Sequence, residues 1–195
     1  MRIPQNPPRI AAGLAVLVAA LAPPAAVRGA PAPAAGPQGA ITALTVPVSG
    51  MTCILCTRGV EESIKRIDGV FDVSAELATG LVRVQAAEGK SLNIRDVKDR
   101  VQAAGFKVGG ECEVEAVGRF SIGQEGRITF RVPGTAYAYQ VLEDDELHRL
   151  FKSHAGLTGD YFLVFRLHEH PRWKPPAIAI VRADYRGQAS QAPVR

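Results

Sequence analysis

No apolar run in the sequence reaches the roughly 20 residues that a bilayer-spanning helix needs. The run from Ile10 to Ala22 has thirteen. The first 39 residues contain no Asp or Glu, and most of the excess of base lies within them. The formal charge is +3 over residues 1–39, +1 over 40–110 and zero over 111–195. A basic face able to displace counterions from nucleic acid is therefore not indicated. No Ser/His/Asp order, phosphate-binding loop or pair of catalytic carboxylates stands out, so an enzyme is not expected. No internal repeat links the two halves. What is present, 47% hydrophobic and 22% charged residues, excludes a disordered or collagen-like chain. Beyond the Ala/Pro/Gly-rich opening, the chain has room for two small domains or one of medium size.

That opening carries Arg2 and Arg9, then Ile10 to Ala22, then Pro23-Pro24. A basic start followed by a short apolar core suits a secretory signal over residues 1–29, with Ala/Pro/Gly linker at 30–39. Cleavage before Ala30 or within Ala32 to Ala35 fits, and the rival reading is an uncleaved signal anchor. Either way the folded part is expected outside the cytoplasm, in a periplasm or otherwise exported.

Residues 40–110 alternate between strand and helix periods. Leu44, Val46 and Val48 alternate with Thr45, Pro47 and Ser49. Val60, Ile64 and Ile67 then recur at helical spacing before Asp68-Gly69. Phe71, Val73, Ala75 and Leu77 share one face of a strand, which turns at Ala78-Thr79-Gly80 into Val82, Val84 and Ala86. Ile94, Val97, Val101 and Ala104 predict a second helix, and Phe106 to Val108 a last short strand. The order is βαββαβ, the ferredoxin-like split βαβ unit. Pro47 is discordant, because it removes a backbone donor from a strand that should be central.

Residues 111–188 have another rhythm. Three half-buried strands are expected around Cys112 to Ala116, Ile128 to Val132 and Tyr137 to Val141. A helix follows, carrying Leu147, Leu150, Phe151 and His154 behind the acids Glu143 to Glu146 and closed at Gly156. Strands Tyr161 to His168 and Ala177 to Asp184 complete the set, leaving 189–195 as a tail. The expected class is α+β. The order βββαββ is what a five-stranded OB-like barrel would give, and a small sandwich would give the same string.

The sharp chemical signal is Gly50-Met51-Thr52-Cys53-Ile54-Leu55-Cys56, between the first strand and the first helix. Thiols at i and i+3 on a loop opening a helix converge on one point, and the positive end of the helix dipole favours thiolates. Two soft ligands without a nearby His or carboxylate suit a two-coordinate ion, Cu(I) or Hg(II), better than tetrahedral zinc. A disulfide between them, or a thiol-disulfide oxidoreductase using the same pair, are the competing readings.

The segment VPVSGMTCILC, the following GVEESIKRIDGV and the closing AAGFKVG resemble the heavy-metal-associated domain of copper chaperones, copper-transporting ATPase modules and periplasmic mercury-binding proteins. The resemblance covers residues 40–110. It implies that Cys53 and Cys56 are the metal ligands, that Met51 tucks under the loop to shape it, and that Phe106 stands beside the metal. It also implies a partner metal-transport protein that exchanges the ion by way of Cys53, the more exposed thiol. Thr52 stands where zinc- and cadmium-selective relatives often carry an acid, which favours a soft ion.

The remaining candidates are weaker. Cys112 alternates with Glu111 and Glu113 and is expected to be a buried, unreactive thiol. A third ligand or an intermolecular disulfide are its other readings. His168 and His170 would share a side of an extended segment with Trp173 close behind, forming a two-ligand site for an oxidised metal or else a polar strand end. His154 is expected at the edge of the core and His148 in solvent. Glu143 to Glu146 suit a helix start without any ligand. Beyond metal capture, the alternative expectation is a metal-sensing adaptor that docks a partner through the C-terminal domain.

Overall fold

The computed structural model describes residues 40–123, 126–153, 157–170 and 172–187. The expected leader and linker (1–39), the tail (189–195), His154 and Gly156 lie outside them. Among the described residues, nine strands and three helices follow in the order β1 (Ala40–Ser49), α1 (Ile54–Lys65), β2 (Val70–Glu76), β3 (Leu81–Ala86), α2 (Ile94–Ala103), β4 (Lys107–Val108), β5 (Cys112–Ile122), β6 (Ile128–Arg131), β7 (Ala138–Val141), α3 (Asp145–Ser153), β8 (Asp160–His168) and β9 (Ala177–Gly187).

The first six elements form the ferredoxin-like βαββαβ unit. β1 lies between β3 and β4, with β2 outside β3. Val60 and Ile64 of α1 and Ile94, Val97 and Val101 of α2 are buried in the same core as Leu44, Val46, Val82 and Val84. The helical and alternating periods thus meet in one apolar layer. The expected face of β2 needs two corrections: the strand ends at Glu76, which leaves Leu77 exposed in the turn, and Phe71 faces outward. The β2–β3 register shifts between Val70 and Asp72, so Phe71 sits at a bulge and is 72% exposed, while Val70 packs against the core. A bulge re-aims the side chain it carries.

Pro47 explains an interruption on the other edge of β1. β4 pairs there only through Val48 and Ser49, and the Gly109 N–H donates to the Pro47 carbonyl at 2.9 Å. Proline has no N–H to return to Gly109, so the ladder lapses at that point. Gly110, Glu111 and Cys112 then stand opposite the single residue Val46 before pairing resumes at Thr45 and Glu113. From there β5 takes the rest of that β1 edge, down to Ala40 opposite Val117. The boundary expected after residue 110 falls at this interruption, and the β1–β5 ladder crosses it. Buried side chains from both sides join one hydrophobic cluster.

The second half is a closed barrel of five strands in the order β5-β6-β7-β9-β8, returning to β5. All contacts are antiparallel except β7 with β9. Strands β5 and β9 run longer than expected, to Ile122 and Gly187, while β6 ends at Arg131 and β7 begins at Ala138, each one residue shorter. β5 joins both sheets: one edge follows β8 from Cys112 to Gly118, and the other pairs β1 through Val117 and β6 from Arg119 onward. The switch happens at Gly118. A Cβ there would lie 2.4 Å from the Arg131 carbonyl oxygen and 2.6 Å from the Phe130 ring. Phe130 is fully buried and stacks obliquely on Phe120, so the ring has nowhere to retreat. Only glycine lets the barrel wall close against this strand.

Gly118→Val is accordingly expected to cost about 3 kcal/mol or more, and Gly118→Ala roughly 1–3 kcal/mol, the range for overpacking in a filled core. Urea unfolding followed by circular dichroism checks this, and a loss below about 0.5 kcal/mol for the valine variant would contradict the steric account.

Candidate metal centre

The end of β1 delivers the chain to a loop whose shape is set by two residues underneath it. Met51 is buried in the core cluster. Gly50 has φ +98°, a conformation that side chains with a Cβ rarely adopt, and a Cβ placed there would be 3.7 Å from the Phe106 ring. Phe106, half-buried after α2, therefore lies against the loop.

Cys53 is the N-cap of α1. Its backbone is extended, and its sulfur accepts the Cys56 N–H at 3.2 Å. The Cys53 carbonyl accepts from Cys56 and Thr57 at 3.0 and 3.2 Å, so the first turn winds directly from this residue. Thr57, buried, donates its hydroxyl to the Ile54 carbonyl at 2.8 Å and closes the turn from inside. Both sulfurs thus stand at the N-terminal end of a helix with no acid in its first turn. Such a position stabilises negative charge on sulfur. Cys53 is exposed and Cys56 half-buried.

Cys53 and Cys56 are joined as a disulfide, with Cα atoms 5.2 Å apart. Holding an ion requires the reduced pair. Once reduced, this geometry offers two thiolates on an exposed loop beside Ile54 and Leu55, which are 67% and 76% exposed. No group of three or more His, Cys, Asp and Glu that could hold a metal ion occurs among the described residues. Two thiolates are soft donors that suit Cu(I), and a tetrahedral zinc would need two further ligands.

Cys112 is buried at 1% exposure at the β1–β5 interruption. Burial pushes its thiol above the ordinary range, against the opposing pull of the Lys98 ammonium beside it. Cys112, His168, His170 and Trp173 line one open cleft of about 330 Å³. Within it the His168 Nδ1 lies 2.6 Å from a Glu111 carboxylate oxygen. His170 Nδ1 accepts the Arg172 N–H at 3.2 Å, and its ring sits 5.4 Å from Trp173. Each imidazole thus already has a use for one ring nitrogen.

The acids before α3 also have structural work. Asp144 accepts from the Leu147 N–H at 2.8 Å through one oxygen and from the Ile180 N–H at 3.0 Å through the other, tying the helix start to β9. His148 is exposed and stays within its own helix turn. Sequence periodicity gave no hint of the second Asp144 contact, which bridges residues far apart in the chain.

In reduced protein at neutral pH, Cys53 and Cys56 are expected to alkylate rapidly and Cys112 only after unfolding, as intact mass spectrometry with and without denaturant would show. Because folding raises the Cys112 pKa, its contribution to stability is present below the ordinary thiol pKa of about 8.5 and declines as pH rises through the folded value. A Cys112→Ala variant should lose that alkaline slope in urea midpoints, and an unchanged slope would contradict it.

Comparison with known proteins places this loop in a family. Residues 45–107 match the family model of the heavy-metal-associated domain. The chain is 33% identical over 64 residues to the copper chaperone CopZ of Bacillus subtilis, a match covering 33% of this chain and 91% of that one. It is 32% identical over 84 residues to the copper-transporting ATPase RAN1 of Arabidopsis thaliana, covering 41% of this chain and 8% of the ATPase. Among solved structures, a CopZ metallochaperone matches at 31% identity with a TM-score of 0.33, covering 35% of this chain and all of that one. The N-terminal domain of ZntA in its Zn(II) form matches at 33% identity with a TM-score of 0.31, covering 35% and 89%. Through this segment, the chain belongs to the heavy-metal-associated domain family.

Proposed function

We propose that this protein is an exported carrier of a soft metal ion, Cu(I), which it captures and hands on through Cys53 and Cys56 without catalytic turnover. The observation that carries the reading is the sulfur pair at the start of α1, with Cys53 capping the helix through its sulfur. The identity to copper chaperones over the same segment supports the choice of copper. Hg(II) has the same preference for two sulfurs and is the second candidate cargo. The ion would arrive on or leave to a metal-transport protein. A partner thiolate would enter beside exposed Cys53, form a three-coordinate intermediate, and displace Cys56 last.

The same cysteines admit one rival, a thiol-disulfide oxidoreductase. The two readings differ in what the reduced pair does: a carrier retains an ion, and an oxidoreductase passes electrons to a substrate disulfide.

For the second half we propose an OB-like barrel. Its strands, counted from β5, close in the order 1-2-3-5-4-1 with the helix between the third and fourth, the arrangement expected of that fold. It would serve as the docking module, and the signal-like opening supports export. Among the described residues no helix is long and apolar enough to cross a membrane.

Anaerobic titration of the reduced protein, read by native mass spectrometry, is expected to give one Cu(I) per chain, lost when both Cys53 and Cys56 are replaced by Ser. Stoichiometric binding retained by the double variant would remove the site assignment. Thioredoxin-like rates of insulin reduction by the metal-free protein would establish the oxidoreductase instead.

A further inference from the structure

Two imidazoles in the cleft beside Cys112 have no part in the sulfur chemistry. His168 ends β8 and His170 follows two residues later, and both line the cleft of about 330 Å³ together with Glu111, Lys98 and Trp173. The His168 side chain is 27% exposed and His170 is exposed, so both rings can be reached from solvent.

The rings are held differently. His168 Nδ1 lies 2.6 Å from the Glu111 carboxylate. A neutral imidazole placed there donates its Nδ1 proton to the carboxylate, which fixes the ring and leaves the lone pair on Nε2. A carboxylate on one nitrogen and an ion on the other is the common arrangement of a metal-binding histidine. His170 Nδ1 accepts the Arg172 N–H at 3.2 Å, a long bond in an exposed segment. Ligation by His170 either takes the Nδ1 lone pair or, through Nε2, moves the ring proton onto Nδ1. In both cases the Arg172 N–H must turn to water, which is at hand because the residue is exposed.

The donor type names the ligand. Imidazole nitrogen suits Cu(II), Ni(II) and Zn(II), whereas Ca²⁺ and Mg²⁺ take oxygen. The Lys98 ammonium would repel a cation, but Glu169 is bound to it. No group of three or more metal-binding side chains occurs among the described residues, so water fills the other positions and the ion stays exchangeable. Of the borderline ions, Cu(II) binds such nitrogens most tightly.

We propose that this cleft binds one divalent ion, Cu(II) ahead of Zn(II), through His168 and His170, with Glu111 as the positioning residue behind His168. Glu111 belongs to the β1–β5 interruption and both histidines to the end of β8, so the ion ties that interruption to the barrel. The site shares no residue with the sulfur pair and works whatever ion that pair carries.

Trp173 supplies the readout, being the single tryptophan of the chain with its ring 5.4 Å from His170. The test is a Cu(II) chloride titration of the untagged full chain carrying Cys53→Ser and Cys56→Ser, followed by Trp173 fluorescence, with stoichiometry from native mass spectrometry. The expected result is saturable quenching at one Cu(II) per chain. Adding His168→Ala and His170→Ala should weaken binding by about tenfold or more, and adding Glu111→Gln by about tenfold, the low end for losing a carboxylate behind a ligating histidine. Circular dichroism of both variants should match that of the parent. Saturating Zn(II) should move the Arg172 amide in the NMR spectrum, and Cu(II) should displace it. Quenching that does not saturate, a histidine variant that binds as the parent does, or an Arg172 amide unmoved by Zn(II) overturns the proposal. A Glu111→Gln variant that binds as tightly as the parent overturns the role given to Glu111.

Discussion

The structure depends on how the two edges of β1 are shared out. One edge pairs with β3 from Ala43 to Pro47; the other is divided between β4 and β5 because Pro47 has no proton to give at the point where they would otherwise run on as a single strand. An unpaired stretch of strand edge is costly and invites association, and β5 covers it. From that pairing the rest follows. One edge of β5 cannot serve β1 and β6 at once, so it changes partner at a residue without a side chain, Gly118, while the other edge stays on β8. The barrel is thereby fixed alongside α2, and the cleft between them and the pocket around Cys112 both arise at this seam.

Much of this was legible in the sequence, for reasons that differ by element. The βαββαβ order was readable because each of its strands and helices buries one face against a common layer, so period two and period 3.6 are written cleanly into Val82-Val84 and Val60-Ile64. Phe71 misled because periodicity assumes an unbroken register, and the bulge beside it turned one residue of the pattern outward. The strands of the second half were readable as elements. Their closure rests on pairings such as Cys112 with Leu167, distant in the chain, which no local period encodes. Pro47 signalled a broken ladder but not its consequence, since nothing in the surrounding residues says that β5 resumes the pairing.

The candidate site divides the same way. Cys53 and Cys56 were legible because their chemistry is local: three residues of spacing and a helix start place both sulfurs. His168, His170 and Cys112 were noticed one at a time, and only the fold brings them to one cleft. Even there, Glu111 and Arg172 hold one nitrogen of each imidazole, so proximity alone does not make them ligands.

One physical feature serves both chemistries open to the sulfur pair. The helix N-terminus that stabilises thiolate also makes each sulfur a better leaving group and a more abundant nucleophile, so the arrangement that attracts a soft cation also suits thiol-disulfide exchange, while favouring the reduced pair over the disulfide. What separates carrier from oxidoreductase must then lie in the surroundings. Here the loop presents exposed Ile54 and Leu55 around the sulfurs and buries its support, Met51 and Thr57, beneath them. An open, apolar rim of this kind suits close approach by another protein's thiolate. The reduced pair and the disulfide are then two states of one exposed loop, and a bound ion, by occupying both sulfurs, opposes oxidation in proportion to its affinity.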